Sequence, residues 1–350
     1  MTDKTNEKLN IKADVKTGKM KEKTLKIEQE FLSPYAKKSR DTAGRDKPET
    51  PCPMRTDFQR DRDRILYSKA FRRLKNKTQV FYSPEGDHYR TRLTHTLDVT
   101  QVARSIARGL SLNEDLSEAI ALGHDLGHTP FGHSGERILN KLCPSGFKHN
   151  VQSRRVVEVL ENDGKGLNLT FEVRDGIENH KMSLNPSTLE GKVVSYSDWI
   201  AYLNHDIDDA IEAKIIKESD LPEETLKVLG RTSRDRINTM IFSIIERSDG
   251  KPFVEMDEEI LEATKTLRNF LTEVVYNSPE ARGEEIKAER MLSALYEYYS
   301  ERLDELPESN REMIERDGKD RVICDYLSSM TDRFAVNKFE NIFIPKNWKY

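Results

Sequence analysis

Apolar residues recur at three- and four-residue intervals through most of this 350-residue chain, and strand-like alternation is scarce. That period fits the face of an α-helix and does not fit a half-buried strand, so it restricts the fold to packed helices. In "THTLDVTQVARSIARGL" the stripe runs His95, Val99, Val102, Ile106 and Leu110. In "EDLSEAIALGHDLGH" it runs Leu116, Ile120 and His124, and Gly127 and Pro130 are expected to stop that helix. A histidine therefore ends the buried face of each of two neighbouring helices. "LEGKVVSYSDWIAYLNHDIDDAI" predicts a long helix with Leu189, Val193, Tyr196, Ile200, Leu203 and Ile207 on one stripe. Asp198 lies opposite, among Val194, Ala201 and Tyr202, so it is expected to be a buried carboxylate that needs a cation or donors.

The remaining segments extend the helical pattern. "DFQRDRDRILYSKAFRRLKNK" reads as one helix, and "HSGERILNKL" starts another that sets His133 and Glu136 three residues apart. Ile260, Thr264, Leu267, Leu271 and Val274 form a stripe, as do Met291, Leu295, Tyr299 and Leu303. "TQVFYSPEGDHYRTR" reads as a connector with a short hairpin. The expected fold is all-α. Four segments are expected: a lysine-rich flexible tail over 1–27, helical near its end; an N-terminal helical segment over 28–89; a metal-dependent core over 90–213; and further helices over 214–350.

Charge and composition exclude several classes. The net charge of −4 creates no global basic field for nucleic acid or membrane. There is no apolar run of the roughly 18 residues that a membrane span needs, and no apolar core of a secretory signal. Cys52, Cys143 and Cys324 make neither a disulfide framework nor a Cys-x-x-Cys pair, as expected of a reducing cytoplasm. Residues 60–77 hold eight Arg or Lys against two acids, which reads first as a solvated helical face and secondly as a surface for phosphates or single-stranded nucleic acid.

All eight histidines fall between His88 and His205. A single histidine on an apolar stripe is commonly a core residue bonded to a carbonyl, and a His-Asp dipeptide alone carries little weight; His205–Asp206 supplies a second one. What distinguishes His124–Asp125 is its setting, with His95 one helix upstream and Asp198 on a later helix. Two imidazoles and two carboxylates suit a divalent ion such as Mn, Fe or Ni, or Mg with more retained water, and leave coordination positions free for a substrate oxygen.

These residues occur in the order His … His-Asp … Asp, which resembles the metal signature of the HD phosphohydrolase superfamily. The blocks "RDRDRILYSKAFRRLKNKTQVF", "YRTRLTHTLDVTQVARSIARGL", "ALGHDLGHTPFGHSGE", "LTFEVRDGIENH", "SYSDWIAYLNHDIDDAI" and "DYLSSMTDRFA" resemble the bacterial deoxyguanosinetriphosphate triphosphohydrolase family, from about residue 28 to about residue 340. The resemblance implies a helical HD-domain core with additional C-terminal helices. It implies metal ligands at His95, His124, Asp125 and Asp198, and a catalytic pair at His133 and Glu136. It also implies substrate contacts at Arg92, His128, His149, Tyr202, Asp206 and Gln79. The expected reaction splits a deoxynucleoside triphosphate into deoxynucleoside and triphosphate, using Mn2+ or Mg2+, with Fe2+, Co2+ or Ni2+ as other metals of the same donor preference. Arg92, Lys75, Lys77, His128 and His149 are the groups expected to meet the triphosphate charge. A homo-oligomer is expected, and a nucleotide or single-stranded nucleic acid is a candidate effector. Two other readings stand beside this one: a related phosphohydrolase acting on nucleoside monophosphates or cyclic nucleotides, and a nucleic-acid-binding regulatory module.

Overall fold

The computed structural model describes residues 18–79 and 90–346. The hairpin expected within 78–92 falls mostly outside the described residues, as does the tail up to residue 17; Thr78 and Thr91 form an isolated antiparallel bridge. Among the described residues the regular elements are helices, with no β-strand. Helix α1 (Lys19–Phe31) buries Leu25 and Glu28, and the Glu28 carboxylate accepts hydrogen bonds from the Ser39 backbone N–H and hydroxyl, each at 2.6 Å.

Helix α2 (Asp57–Leu66) starts at a capping box in which Thr56 and Gln59 satisfy each other's backbone N–H groups. It does not continue through residue 77 as its sequence suggests. The chain breaks at Tyr67–Ser68 and resumes as a five-residue helix, Lys69–Arg73. Ser68 caps that helix by accepting from Phe71 N, and the Glu161 carboxylate takes the N–H groups of Lys69 and Ala70 at 3.0 and 2.7 Å. A side-chain acceptor offered from a distant segment has replaced the helical ladder there.

The centre is built from α3 (Arg92–Gly109), α4 (Glu114–Gly123), α7 (Phe171–Glu178) and α8 (Leu189–Glu212), with α5 (Gly132–Leu142) and α6 (His149–Arg155) between them in sequence. Helix α8 packs along α3 and α4, and α4 is flanked by α2 and α7. The stripes read from sequence are the buried ones: Val99, Ile106, Leu116, Ile120, Val193, Ile200 and Leu203 are all fully buried, each contributing about 1.5–3 kcal/mol by removal from water.

The later helices are α9 (Glu223–Leu229), α10 (Ser233–Ser248), α11 (Glu258–Leu271), α12 (Pro279–Glu301), α13 (Lys319–Ser329) and α14 (Asp332–Phe343). They divide between two cores. Leu226, Met240, Ile244, Leu267 and Leu271 join the central core. Leu292, Leu295, Tyr299, Val322 and Leu327 form a second core with Phe131, Ile138 and Leu139. Helix α5 thus belongs to the second core while its N-terminus points back to the first. The stripe expected to end at Val274 changes register: a π-turn over Thr272–Tyr276 inserts an extra residue, so Val275 is buried and Val274 is 41% exposed. No helix among the described residues is long and apolar enough to cross a membrane.

Candidate active site

His95 stands one turn into α3, whose first turn is capped by Thr91. Helix α4 carries His124 at its C-terminal edge, and its ladder ends at Gly123, before the glycine and proline expected to stop it. The Ser153 hydroxyl donates to the His124 carbonyl at 2.7 Å and accepts from Gly127 N at 2.9 Å, drawing the chain out of the helix. Gly127 is required for that approach, because a Cβ there would lie 2.1 Å from Ser153 N.

Four donor groups then converge. His95 Nε2 lies 3.1 Å from Asp198 Oδ1 and 3.7 Å from Asp125 Oδ2. His124 Nε2 lies 3.4 Å from His95 Nε2, 3.5 Å from Asp125 Oδ2 and 3.8 Å from Asp198 Oδ1. Ligands about 2.1 Å from one metal ion are separated by roughly 3.0–3.4 Å in octahedral or tetrahedral arrangements; His95, His124 and Asp125 are grouped closely enough to hold one ion, and Asp198 reaches the same place from α8 through its 3.1 Å approach to His95. The His124 ring is held by Nδ1 against the Ala121 carbonyl at 2.6 Å, which leaves Nε2 as the lone-pair nitrogen facing the cluster. Burial works against charge on Asp125, but His124 and the Arg92 guanidinium outweigh it and hold the carboxyl well below its usual range. Burial likewise opposes charge on Asp198, and its bond to His95 outweighs it. The Asp198 side chain is 21% exposed, so the carboxylate expected to be buried is only partly so.

Arg92 is buried on the same helix as His95; its Nη1 donates to Asp125 Oδ2 at 2.6 Å and its Nη2 to the Gln79 carbonyl at 3.4 Å. Beyond Asp125 the His128 ring stacks on His149, with centroids 4.4 Å apart, and meets His133 edge-on at 5.4 Å. Burial pushes both His128 and His149 below the ordinary histidine range, against the opposing pull of Glu136 on His149. Burial thus disfavours the charged form of both rings. Glu136 sits between His133 and His149 but is nearer the latter: Oε2 is 2.8 Å from His149 Nδ1 and 3.5 Å from His133 Nδ1, and Oε1 accepts from His149 N at 2.9 Å. His133 itself is 71% exposed.

On the other side, Tyr202 lies one turn after Asp198 on α8, partly buried, and Asp206 follows after another turn. Burial pushes Asp206 up to about 8, and Tyr276 donates its hydroxyl to Asp206 Oδ2 at 2.6 Å. Gln79 is buried with its side-chain oxygen unpartnered. The twelve residues singled out from sequence lie on α3, on α8, in the segment 124–149 and at Gln79, and Tyr276 of the π-turn after α11 joins them through Asp206. The two lysines expected at the phosphates do not join it. Lys75 is exposed, and Lys77 is buried with its ammonium donating to the carbonyls of His128 and Ser328.

The HD domain family matches residues 92–203, which span His95, His124, Asp125 and Asp198. A phosphohydrolase-associated domain matches residues 254–341. A protein of Caldanaerobacter subterraneus subsp. tengcongensis named deoxyguanosinetriphosphate triphosphohydrolase-like is 58% identical over 330 residues, 94% of this chain and 97% of that one. Proteins of the same name from Clostridium perfringens and Desulfatibacillum aliphaticivorans are 49% and 47% identical, covering 94% and 93% of this chain and 98% of each relative. The chain belongs to this deoxyguanosinetriphosphate triphosphohydrolase-like family of HD-domain proteins.

Three residues around this family's HD centre escaped the sequence reading. His180 packs edge-on against His124 at 5.1 Å, with Nδ1 on the Ile177 carbonyl at 2.8 Å. His205, discounted as a chance His-Asp dipeptide, lies edge-on against His95 at 5.1 Å and 3.3 Å from Asp206 Oδ1. Burial holds both rings down, to about 3 and about 4, so both stay neutral beside the cluster. Tyr276, the last residue of the π-turn, reaches Asp206 on α8. Periodicity on α8 would have revealed His205, which lies seven residues, about two turns, after Asp198 on the same face; nothing local marks Tyr276.

Proposed function

We propose that this chain hydrolyses deoxynucleoside triphosphates to deoxynucleoside and triphosphate with a divalent metal at His95, His124, Asp125 and Asp198. The observation that carries the reading is that His95 Nε2 and His124 Nε2 lie 3.4 Å apart, each within 3.1–3.8 Å of a carboxylate oxygen of Asp125 and of Asp198. The names of the relatives support the substrate class, and the mixed nitrogen and oxygen donors suit a divalent transition metal such as Mn2+, Fe2+, Co2+ or Ni2+, or Mg2+ with more retained water.

A divalent ion held there supplies Lewis acidity toward the α-phosphate. The chain's own residues do the rest. Arg92 balances Asp125 and places positive charge beside the phosphates. His128 and His149 offer ring N–H groups to phosphate oxygens, and an incoming polyanion favours their protonation. His133 gives a proton to the leaving 5′-oxygen, and Glu136 orients the His133–His149 pair that it bridges. Tyr202, Gln79 and the Asp206–Tyr276 pair face the sugar, where a protonated Asp206 donates as well as accepts.

The test is to incubate the protein with each deoxynucleoside triphosphate and Mn2+ or Mg2+, with and without a second nucleotide, and to separate the products. Intact triphosphate and free deoxynucleoside are expected. Release of orthophosphate or pyrophosphate instead would overturn the reading in favour of another HD phosphohydrolase chemistry.

A further inference from the structure

The turn between α4 and α5 carries His128 and delivers His133; within it the Thr129 hydroxyl donates to the Gly132 carbonyl at 2.8 Å, and Phe131 is buried in the second core. Phe131 adopts φ 60° and Gly132 φ 56°, a left-handed pair that an L-residue such as Phe131 disfavours. Helix α5 has no side-chain cap at its N-terminus. The His133 side chain is exposed, with Glu136 at 3.5 Å as its ionic neighbour. The position of His133 is therefore set by the backbone that leads into it.

That backbone is gripped from far along the chain. Asp332, the first residue of α14, is 6% exposed. One of its carboxylate oxygens accepts from Phe131 N at 3.0 Å. The other accepts from Thr78 N at 2.8 Å and from the Thr78 hydroxyl. The preceding residue, Lys77, donates its ammonium to the carbonyls of His128 and Ser328. Residues 77–78 and the start of α14 thus hold the turn at two points, His128 C=O and Phe131 N–H, which bracket Thr129 and Pro130. A buried carboxylate with three donors is a rigid joint, because moving any of the three leaves a buried polar group unpaired.

We propose that Asp332, with Thr78, is a positioning residue for catalysis: it selects the left-handed conformation at Phe131 and thereby aims His133 at the reacting phosphate. The C-terminal phosphohydrolase-associated region would then act directly on the catalytic turn, in addition to filling the second core. The inference rests on the proposed function, since His133 has work to do only if the chain cleaves a phosphate ester.

The test is a double-mutant cycle on the metal-loaded protein, read as single-turnover rates with a deoxynucleoside triphosphate. Asp332→Asn keeps the shape and sets an amide N–H2 against one of the three donors. Its turnover is expected to fall about 10- to 100-fold at unchanged metal content, as a small misplacement of a reacting group does. On a His133→Ala background the same substitution is expected to change the rate by no more than about twofold, because the residue it positions is gone. A purely structural Asp332 predicts the same fall on both backgrounds, which would overturn the proposal, as would a wild-type rate in Asp332→Asn. If Asp332→Asn does not fold, Thr78→Val takes its place in the cycle, with Thr78→Ser expected to restore the rate; wild-type turnover in Thr78→Val overturns the proposal equally. A wild-type protein that releases no triphosphate overturns the proposed function itself, which is distinguishable from an active wild type with an indifferent Asp332.

Discussion

The Nε2 atoms of His95 and His124 face each other at 3.4 Å with Asp125 and Asp198 alongside, and lone pairs so arranged repel unless a cation or proton lies between them. Removing one charge from that set while keeping its shape separates coordination from packing. Asp198→Asn is expected to lower Mn2+ affinity by about 10- to 100-fold and to remove turnover, as measured by calorimetric titration and by metal content after dialysis. Wild-type affinity in that variant would show that Asp198 is not a ligand. His133 poses a different question because it is exposed and lies outside the cluster. His133→Ala is expected to retain its metal and to lose about 10²- to 10⁴-fold in kcat, the range associated with one proton-transfer group. Unimpaired kcat at full metal content would remove His133 from the mechanism. At this scale the sequence was informative where residue type and helical phase agreed: His95 and His124 each ended an apolar stripe. It was silent where a partner arrives through tertiary packing. The bond from Tyr276 to Asp206 joins positions 70 residues apart, and no local pattern encodes it.

Helices α3, α4 and α8 follow their stripes closely because burial of one face decides both their existence and their phase. Their ends were less legible, and the reasons are particular. Glu161 breaks the basic segment at Ser68, Ser153 closes α4 early, and the π-turn after α11 exchanges Val274 for Val275. Each depends on a group supplied from elsewhere in the chain or on a local change of pitch. The basic segment also shows why charge counting misleads. Arg62 pairs with Asp115 at 2.9 Å and Arg64 with Glu49 at 2.6 Å, so much of its charge is already matched internally. The start of α8 offers a test of how such buried contacts act. Glu190 is fully buried, accepts from Lys37 N at 2.9 Å and Asn113 N at 3.0 Å through one oxygen, and leaves the other unpartnered. Burial pushes its carboxyl from 4.5 up to about 7. The folded state therefore favours the protonated form. The stability this contributes is complete below pH 4.5, declines as pH rises, and is gone above about pH 7. Glu190→Gln keeps an oxygen for both N–H groups and cannot ionise. It is expected to be more stable than wild type at pH 8 by about 1–3 kcal/mol, with the difference shrinking toward pH 5. Denaturant melts at the two pH values measure this, and a variant less stable than wild type at pH 8 would show that the ionised carboxylate is accommodated.

The proposed metal-binding set draws on three packed helices and the turn that leaves them. His95 comes from α3, His124 and Asp125 from the end of α4, and Asp198 from α8, while the turn after Asp125 runs directly into α5 and the second core. An ion held by these four groups would cross-link three helices of the first core beside the turn that leads into the second. The unfolded chain cannot offer the same four groups together, so binding favours the folded state by RT ln(1 + [L]/Kd). At a free Mn2+ concentration about 100 times Kd this amounts to about 2.7 kcal/mol, a rise in melting temperature on the order of 5 °C. Chelation should reverse it. Asp198→Asn should show a smaller response, about 0.4–1.4 kcal/mol at the same concentration for a 10- to 100-fold weaker site, whereas Asp332→Asn, whose substitution lies outside the cluster, should respond as wild type does. A melting temperature indifferent to both Mn2+ and chelator would mean that the four groups do not close on an ion in the folded chain. A rise that Asp198→Asn shares in full would place the bound ion elsewhere. Because the readout is stability, it tests the metal centre without assuming any substrate.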